Sequence, residues 1–185
     1  MTNWVGLALL IIDMQEALVP VIWQGDELAS RIAVLAQSAR NRHVPVIFIQ
    51  QTGPADSPLD LDRSGWQLST KLGVQPADLR LRKTATDSFF ATDLADLLAA
   101  RDVDTVVITG VATDYCVDAT AQSALSHGLN VVLVSDGHAP AVRGNPQAGL
   151  SAEQIRDHYN WVLSQAIHPG GQLTLRSAAD VFSDR

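Results

Sequence analysis

DTVVITGVATDYCVD, residues 104–118, is the stretch on which the reading of the fold turns. Its first part, TVVIT at residues 105–109, lacks the polar alternation of a half-exposed strand and reads as a strand buried on both faces of a parallel sheet. The run breaks at Gly110, and a helix is expected to begin near Asp114. Cys116, the only cysteine of the chain, then falls in that helix's first turn. A thiol there meets the positive end of the helix dipole and unpaired backbone N–H groups, which favour the thiolate. Strand, sharp turn and nucleophile at a helix start form the layout of an activated nucleophile beside an oxyanion site. By itself, a free cysteine is more often a small buried core residue. The rest of the chain has to decide between the two.

Outward from that stretch the pattern repeats. Residues 6–12, GLALLII, form a continuous apolar run that ends at Asp13, and a carboxylate after a buried strand is costly unless it lies at the sheet's carboxyl edge or has a partner. Asp26 is expected to cap a helix over residues 27–42, whose face carries Leu28, Ile32, Leu35, Ala36 and Ala39. Residues 44–50, VPVIFIQ, read as a second buried strand, with Pro45 tolerated near its start. Residues 51–65 form a long loop leaving a strand's carboxyl end, a place where function concentrates. A short strand over residues 79–82 ends at Lys83. Thr92 is expected to cap a helix with Leu94, Leu97 and Leu98 inward, closing near Arg101. Gly128 supplies the stop of the helix that carries Cys116. A further strand, residues 130–135, ends in Asp136, and residues 136–150 are irregular. Ser151 and Gln154 make a capping box for a helix reaching about Ala166. A last strand spans residues 172–175.

Buried strands alternating with amphipathic helices specify a three-layer α/β/α fold with a parallel sheet of about six strands and Rossmann-type topology. Ligands of such sheets bind beyond the carboxyl ends of the strands, near a switch in strand order. Asp13, Gln50, Lys83, Gly110 and Asp136 are expected at those ends, so one shared pocket is expected.

The 185 residues suggest a single domain spanning 1–185, large enough to bury a core without staples. One cysteine excludes an internal disulfide framework and fits a reducing cytoplasm. A net charge of −7 argues against nucleic acid and anionic membranes as partners. No apolar run reaches the length of a membrane span. Residues 1–4 lead directly into the first strand, so no signal peptide is expected.

Asp13, Lys83 and Cys116 are chemically complementary. A thiolate is the nucleophile, an ammonium beside it lowers its pKa, and a carboxylate near both can take the thiol proton and return it to a leaving amine. Singly, each has a plain alternative: a turn cap, a surface lysine, a core cysteine. Together, at three strand ends, they point to a site.

LLIIDMQ around Asp13, RKTATDSFFATDL around Lys83 and VVITGVATDYCVDATAQSA around Cys116 resemble, in that order, the motifs of the isochorismatase-like cysteine hydrolases, with similarity over residues 7–139. The third motif is the most specific. The resemblance implies a catalytic triad of Asp13, Lys83 and Cys116, a cis peptide between Val111 and Ala112, and an oxyanion hole from the N–H groups of Ala112 and Cys116. It implies hydrolysis of a C–N bond in a small amide, ureido or carbamoyl substrate through a thioester, without a cofactor, by a homodimer or homotetramer. Gln15, Trp66, Phe89 and Tyr115 are expected to contact substrate, with Phe90 a further wall candidate.

Nicotinamidases of that family hold a metal through an Asp-x-His pair after the second strand. Here that place reads IQQTGPADSP, so no metal is expected, and Asp56, Asp60 and Asp62 read as solvated surface. True isochorismatases do without the nucleophilic cysteine, so Cys116 argues for C–N cleavage. His138 reads as a loop histidine, His43 and His127 as favourable charges at helix ends. Tyr159 and Trp161 are candidates for a subunit contact. Two alternatives stand beside the hydrolase: a non-catalytic ligand- or partner-binding member of the same fold, and a thiol redox protein, which would need an external thiol.

Overall fold

The computed structural model describes residues 4–141, 144–145 and 147–183. Its main sheet is built from β1 (Leu7–Ile12), β2 (Val46–Gln51), β3 (Leu79–Lys83), β4 (Thr105–Val111), β5 (Asn130–Ala139) and β8 (Leu173–Arg176). These six strands lie in the order β3-β2-β1-β4-β5-β8, all parallel. A small antiparallel pair, β6 (Gly144–Asn145) with β7 (Leu150–Ser151), stands apart. Val142, Arg143 and Pro146 of the second irregular stretch, and residues 1–3 ahead of the first strand, lie outside the described residues.

Side chains that alternate along each strand enter two cores. Leu9, Ile11, Phe48, Val107 and Val134 pack with Leu28, Ile32, Leu35 and Ala36 of α1 (Gly25–Arg40). Ala8, Leu10, Ile47, Ile108 and Leu133 pack with α2 (Leu94–Ala99), α3 (Asp118–Ser126) and Leu163 of α4 (Ala152–Ser164). The strands read as unbroken apolar runs because both of their faces are covered.

The three-layer fold agrees with the sequence reading, and the differences are local. Asp26 does not cap α1: the N-cap is Gln24, in left-handed conformation, and Asp26 lies in the first turn, paired with Lys71 at 2.7 Å. The capping box of Ser151 and Gln154 is present as expected. Cys116 does not sit in the first turn of an α-helix but in a π-helical turn, Thr113–Val117, that precedes α3. β5 runs four residues past the expected end at Ser135. Opposite it, Ile108 pairs with Leu133 but Gly110 with His138, so β5 bulges between them. Thr109 Oγ1 donates to the Gly137 carbonyl and closes that bulge. Asp136 therefore lies inside a strand, where its carboxylate accepts the Ala178 N–H at 2.7 Å and lies 3.5 Å from Arg31.

Candidate active site

The order of the sheet reverses between β1 and β4, and this is where a parallel sheet opens a crevice at its carboxyl edge. Asp13 follows β1 with φ of 52°, a left-handed conformation that aspartate tolerates better than most residues. Its N–H donates to Ile49 O at 2.9 Å, which turns the carboxylate inward over the edge of the sheet. Lys83 is the last residue of β3, two strands away. Strands about 4.8 Å apart leave roughly 9–10 Å to bridge, and the long stem of lysine crosses it over β2. The ammonium arrives 2.8 Å from Asp13 Oδ2, with the two side chains 0% and 3% exposed. It also donates to Gln51 Oε1 at 2.7 Å, to Ala85 O at 3.0 Å and to Cys116 Sγ at 3.1 Å.

The third member arrives from β4. Gly110 has φ of 117°, and a Cβ there would lie 2.1 Å from Ile12 O, so only glycine lets β4 run against the end of β1. The Val111–Ala112 peptide is cis. The Ala112 carbonyl then accepts the N–H groups of Tyr115 at 3.1 Å and Val117 at 3.0 Å, which winds the chain into the turn that presents Cys116.

Electrostatics in this buried corner are coupled. Burial raises the Asp13 carboxyl above its ordinary value, and the Lys83 charge works against that rise. Burial and the negative charge of Asp13 push the Cys116 thiol up to about 12, against the lowering effect of Lys83. Burial and the Asp13 charge thus disfavour a free thiolate before substrate binds. Asp13 Oδ1 is buried and has no hydrogen-bond partner, so it is open to accept a proton. Moving the thiol proton to Asp13 leaves the net charge of the three groups unchanged, which a low-dielectric site tolerates better than creating a charge.

A cavity of about 320 Å³ opens over these groups. Leu18, Val21, Ile22, Leu59, Val111 and Tyr115 give it apolar walls, and Asp13, Gln51, Thr84, Thr86 and Cys116 supply the polar atoms. Asp114 accepts the Ala141 N–H at 3.0 Å and so ties the rim beyond β5 to the cysteine turn.

Of the residues expected to touch substrate, Tyr115 lines the cavity and is exposed. The other three do not line it. Gln15 is fully buried, its amide bonded to both backbone groups of Gln51 and to Trp66 O. Trp66 is half-buried and donates from Nε1 to Thr52. Phe89 is buried and stacks on His127 at 4.5 Å, in the same core as Cys116 but outside the cavity lining. Both glutamine and tryptophan thus brace the loop that Gln51 begins. Gln51 itself, which holds Lys83 and lines the cavity, was one residue beyond the expected strand end at Gln50. His138 is no loop histidine: it is buried in β5 between Thr113 and Asn160. Asp56 and Asp62 are exposed, and Asp60 accepts the N–H groups of both. Among the described residues no cluster of three or more His, Cys, Asp or Glu side chains is placed to hold a metal ion, and no helix is long and apolar enough to cross a membrane.

Known proteins are similar to this chain in sequence and in fold. The model of the Isochorismatase domain matches residues 7–166. The isochorismatase family protein YecD of Escherichia coli O157:H7 is 30% identical over 171 residues, 84% of this chain and 86% of that one. Streptothricin hydrolase of Streptomyces noursei is 35% identical over 139 residues, covering 71% of this chain and 54% of its own length. The crystal structure of an isochorismatase family protein from Burkholderia thailandensis is 31% identical with a TM-score of 0.75, over 96% of this chain and 94% of that one.

Proposed function

The chain belongs to the isochorismatase family of hydrolases, and from that premise we propose that it is a cysteine-dependent amidohydrolase, with Asp13, Lys83 and Cys116 as its catalytic residues. The observation that carries the reading is the buried contact of the three: Lys83 Nζ lies 2.8 Å from Asp13 and 3.1 Å from Cys116, and Asp13 and Cys116 line the cavity.

In the proposed reaction, Asp13 Oδ1 takes the Cys116 proton as the sulfur attacks the substrate carbonyl carbon. The carbonyl oxygen gains the electron pair of the former double bond and rests on the N–H groups of Ala112 and Cys116. Collapse breaks the C–N bond as Asp13 returns its proton to the leaving nitrogen, giving free ammonia or amine and a thioester. Water then attacks the thioester, Asp13 takes its proton, and the acid departs as the thiol is restored. Lys83 remains charged throughout and holds the carboxylate against the sulfur.

The cavity suits a small, largely apolar molecule whose reactive amide, ureido or carbamoyl group meets the polar floor, with Tyr115 against it. A similar chain is named streptothricin hydrolase, and that similarity supports a hydrolytic role here too. The proposal takes the enzyme as a homodimer or homotetramer of the cytoplasm, working on a small molecule without cofactor. Ammonia or amine release across a panel of small amides, ureas and carbamoyl compounds tests it. At least one is expected to be turned over, with loss of about 10³-fold or more in Cys116→Ala that is still folded. Silence across the panel, together with a Cys116 inert to iodoacetamide, overturns it in favour of a binding protein.

A further inference from the structure

Behind the cysteine turn lies a buried chain of polar groups that the proposed reaction does not use. Thr113, the first residue of the π-helical turn, is fully buried, and its hydroxyl lies 2.7 Å from His138 Nδ1. His138, on the bulged end of β5, has its other ring nitrogen 3.0 Å from Asn160 Oδ1 on α4. Asn160 Nδ2 lies 2.9 Å from the Ser135 carbonyl.

The direction of every proton in this chain follows from its last member. A backbone carbonyl only accepts, so the Asn160 nitrogen must face Ser135 and its oxygen must face His138. An amide oxygen also only accepts, so the hydrogen of a neutral imidazole sits on Nε2. Nδ1 is then an acceptor, and the Thr113 hydroxyl has to donate to it. Each link fixes the next, and the last link ends one residue from Ala112 and three from Cys116.

We propose that His138 is a positioning residue: a neutral imidazole locked as the Nε2–H tautomer, which pins Thr113 and thereby holds the Ala112–Cys116 turn in register with Asp13 and Lys83. The proposal deepens the amidohydrolase reading and rests on it for its kinetic consequence, though not for its geometry. The surroundings keep the ring neutral. Burial pushes His138 down to about 4, Arg156 acts in the same sense, and the Asn160 hydrogen bond, Asp136 and Asp157 oppose it. A charged ring would carry a second hydrogen on Nδ1 and turn Thr113's partner from acceptor to donor. The strand bulge is what makes the contact: pairing of His138 with Gly110 sets the ring beside the start of the cysteine turn.

Two measurements test this. Ring 15N shifts of His138 in the full chain report the tautomer with no substrate needed. A protonated Nε2 and a bare Nδ1 from pH 6 to 8 are expected; an Nδ1–H tautomer, or an imidazolium at pH 6, overturns the proposal. The second compares Thr113→Val, which keeps shape and loses the hydroxyl, with Thr113→Ser, which keeps the hydroxyl. Thr113→Val is expected to lower kcat by about 10–100-fold with KM changed by less than about twofold, and Thr113→Ser to recover most of the loss. A Thr113→Val kcat within about threefold of wild type, or equal losses in both variants, overturns the positioning role. If no amide of the panel is turned over, the iodoacetamide rate of Cys116 replaces kcat as the readout of the positioning role. It is then expected to rise in Thr113→Val, as the thiol leaves its buried place, and to stay near wild type in Thr113→Ser; the same rate in both overturns the proposal.

Discussion

Asp13 and Lys83 carry opposite charges at almost no exposure, and this makes each of them dangerous without the other. Breaking a buried pair from one side leaves an uncompensated charge and costs about 3–5 kcal/mol, whereas replacing both partners by uncharged residues of similar volume is often close to neutral. Asp13→Asn is therefore expected to lower the free energy of unfolding by about 3–5 kcal/mol, and Asp13→Asn with Lys83→Met to recover much of it. Urea unfolding measures both, and both variants are expected to be inactive. A single variant as stable as wild type would show that the two groups are not held as a charged pair. The double variant thus separates what the pair does for the fold from what it does for the reaction.

The elements that carry the site depend on backbone approach as much as on side chains. β4 meets the end of β1 where Ile12 and Gly110 pair. Alanine at 110 would need both an unfavourable positive φ and a Cβ 2.1 Å from a carbonyl oxygen. Gly73 offers a comparison, with φ of 58° and nothing within 4 Å of its Cβ. Gly73→Ala should cost about 1 kcal/mol, the strain of the left-handed region alone. Gly110→Ala should cost about 3 kcal/mol or more, since strain and overpacking add. Denaturant midpoints of the two variants, at equal m-value, check the contrast; similar midpoints would mean that β4 can withdraw from β1 freely. Cys116 itself sits in a π-helical turn. The chain leaves β4 at Ala112 and closes an N–H from Val117 back onto it, one residue wider than an α-turn, and such widened turns often occur at functional sites.

At the scale of the whole molecule, stability and the site share one buried group. An unfolded chain binds a proton at His138 near its ordinary value of 6.5, while the folded chain resists doing so until about 4. Between those values the unfolded state holds more protons, so stability rises with pH across the window and falls as pH drops through it. The full contribution of this one group is about 3 kcal/mol, at roughly 1.4 kcal/mol per pH unit. Asp13, raised by burial, acts with the opposite sign, because its folded form holds its proton longer as pH rises. The difference between wild type and His138→Asn isolates the histidine: its pH dependence between about 4 and 6.5 should flatten in the variant. Chemical unfolding at several pH values measures it, and parallel curves would mean that the histidine is protonated in the folded protein.

The apolar runs, the turns between them and the helix patterns were enough to read a parallel three-layer fold, because strands covered on both faces have to be apolar throughout. Asp13 was legible for a related reason, since a carboxylate directly after a buried run needs the sheet's edge or a partner, while Lys83 and Cys116 were legible from their chemical complementarity to it and from their motifs. What lines the cavity was not legible. Leu18, Val21, Ile22 and Leu59 come from segments between elements, and their apolar side chains have no period to mark them. Gln15, Trp66 and Phe89 are near the site in sequence yet face elsewhere, since a shift of one residue along a strand or turn exchanges one side for the other. His138 depends on a bulge: residues 136–150 read locally as irregular, and only pairing with β4 and the closure by Thr109 draw 136–139 into the sheet. Local sequence set the elements and the strand-end chemistry, while side-chain direction and the meeting of distant segments waited on tertiary contacts, which no local pattern encodes.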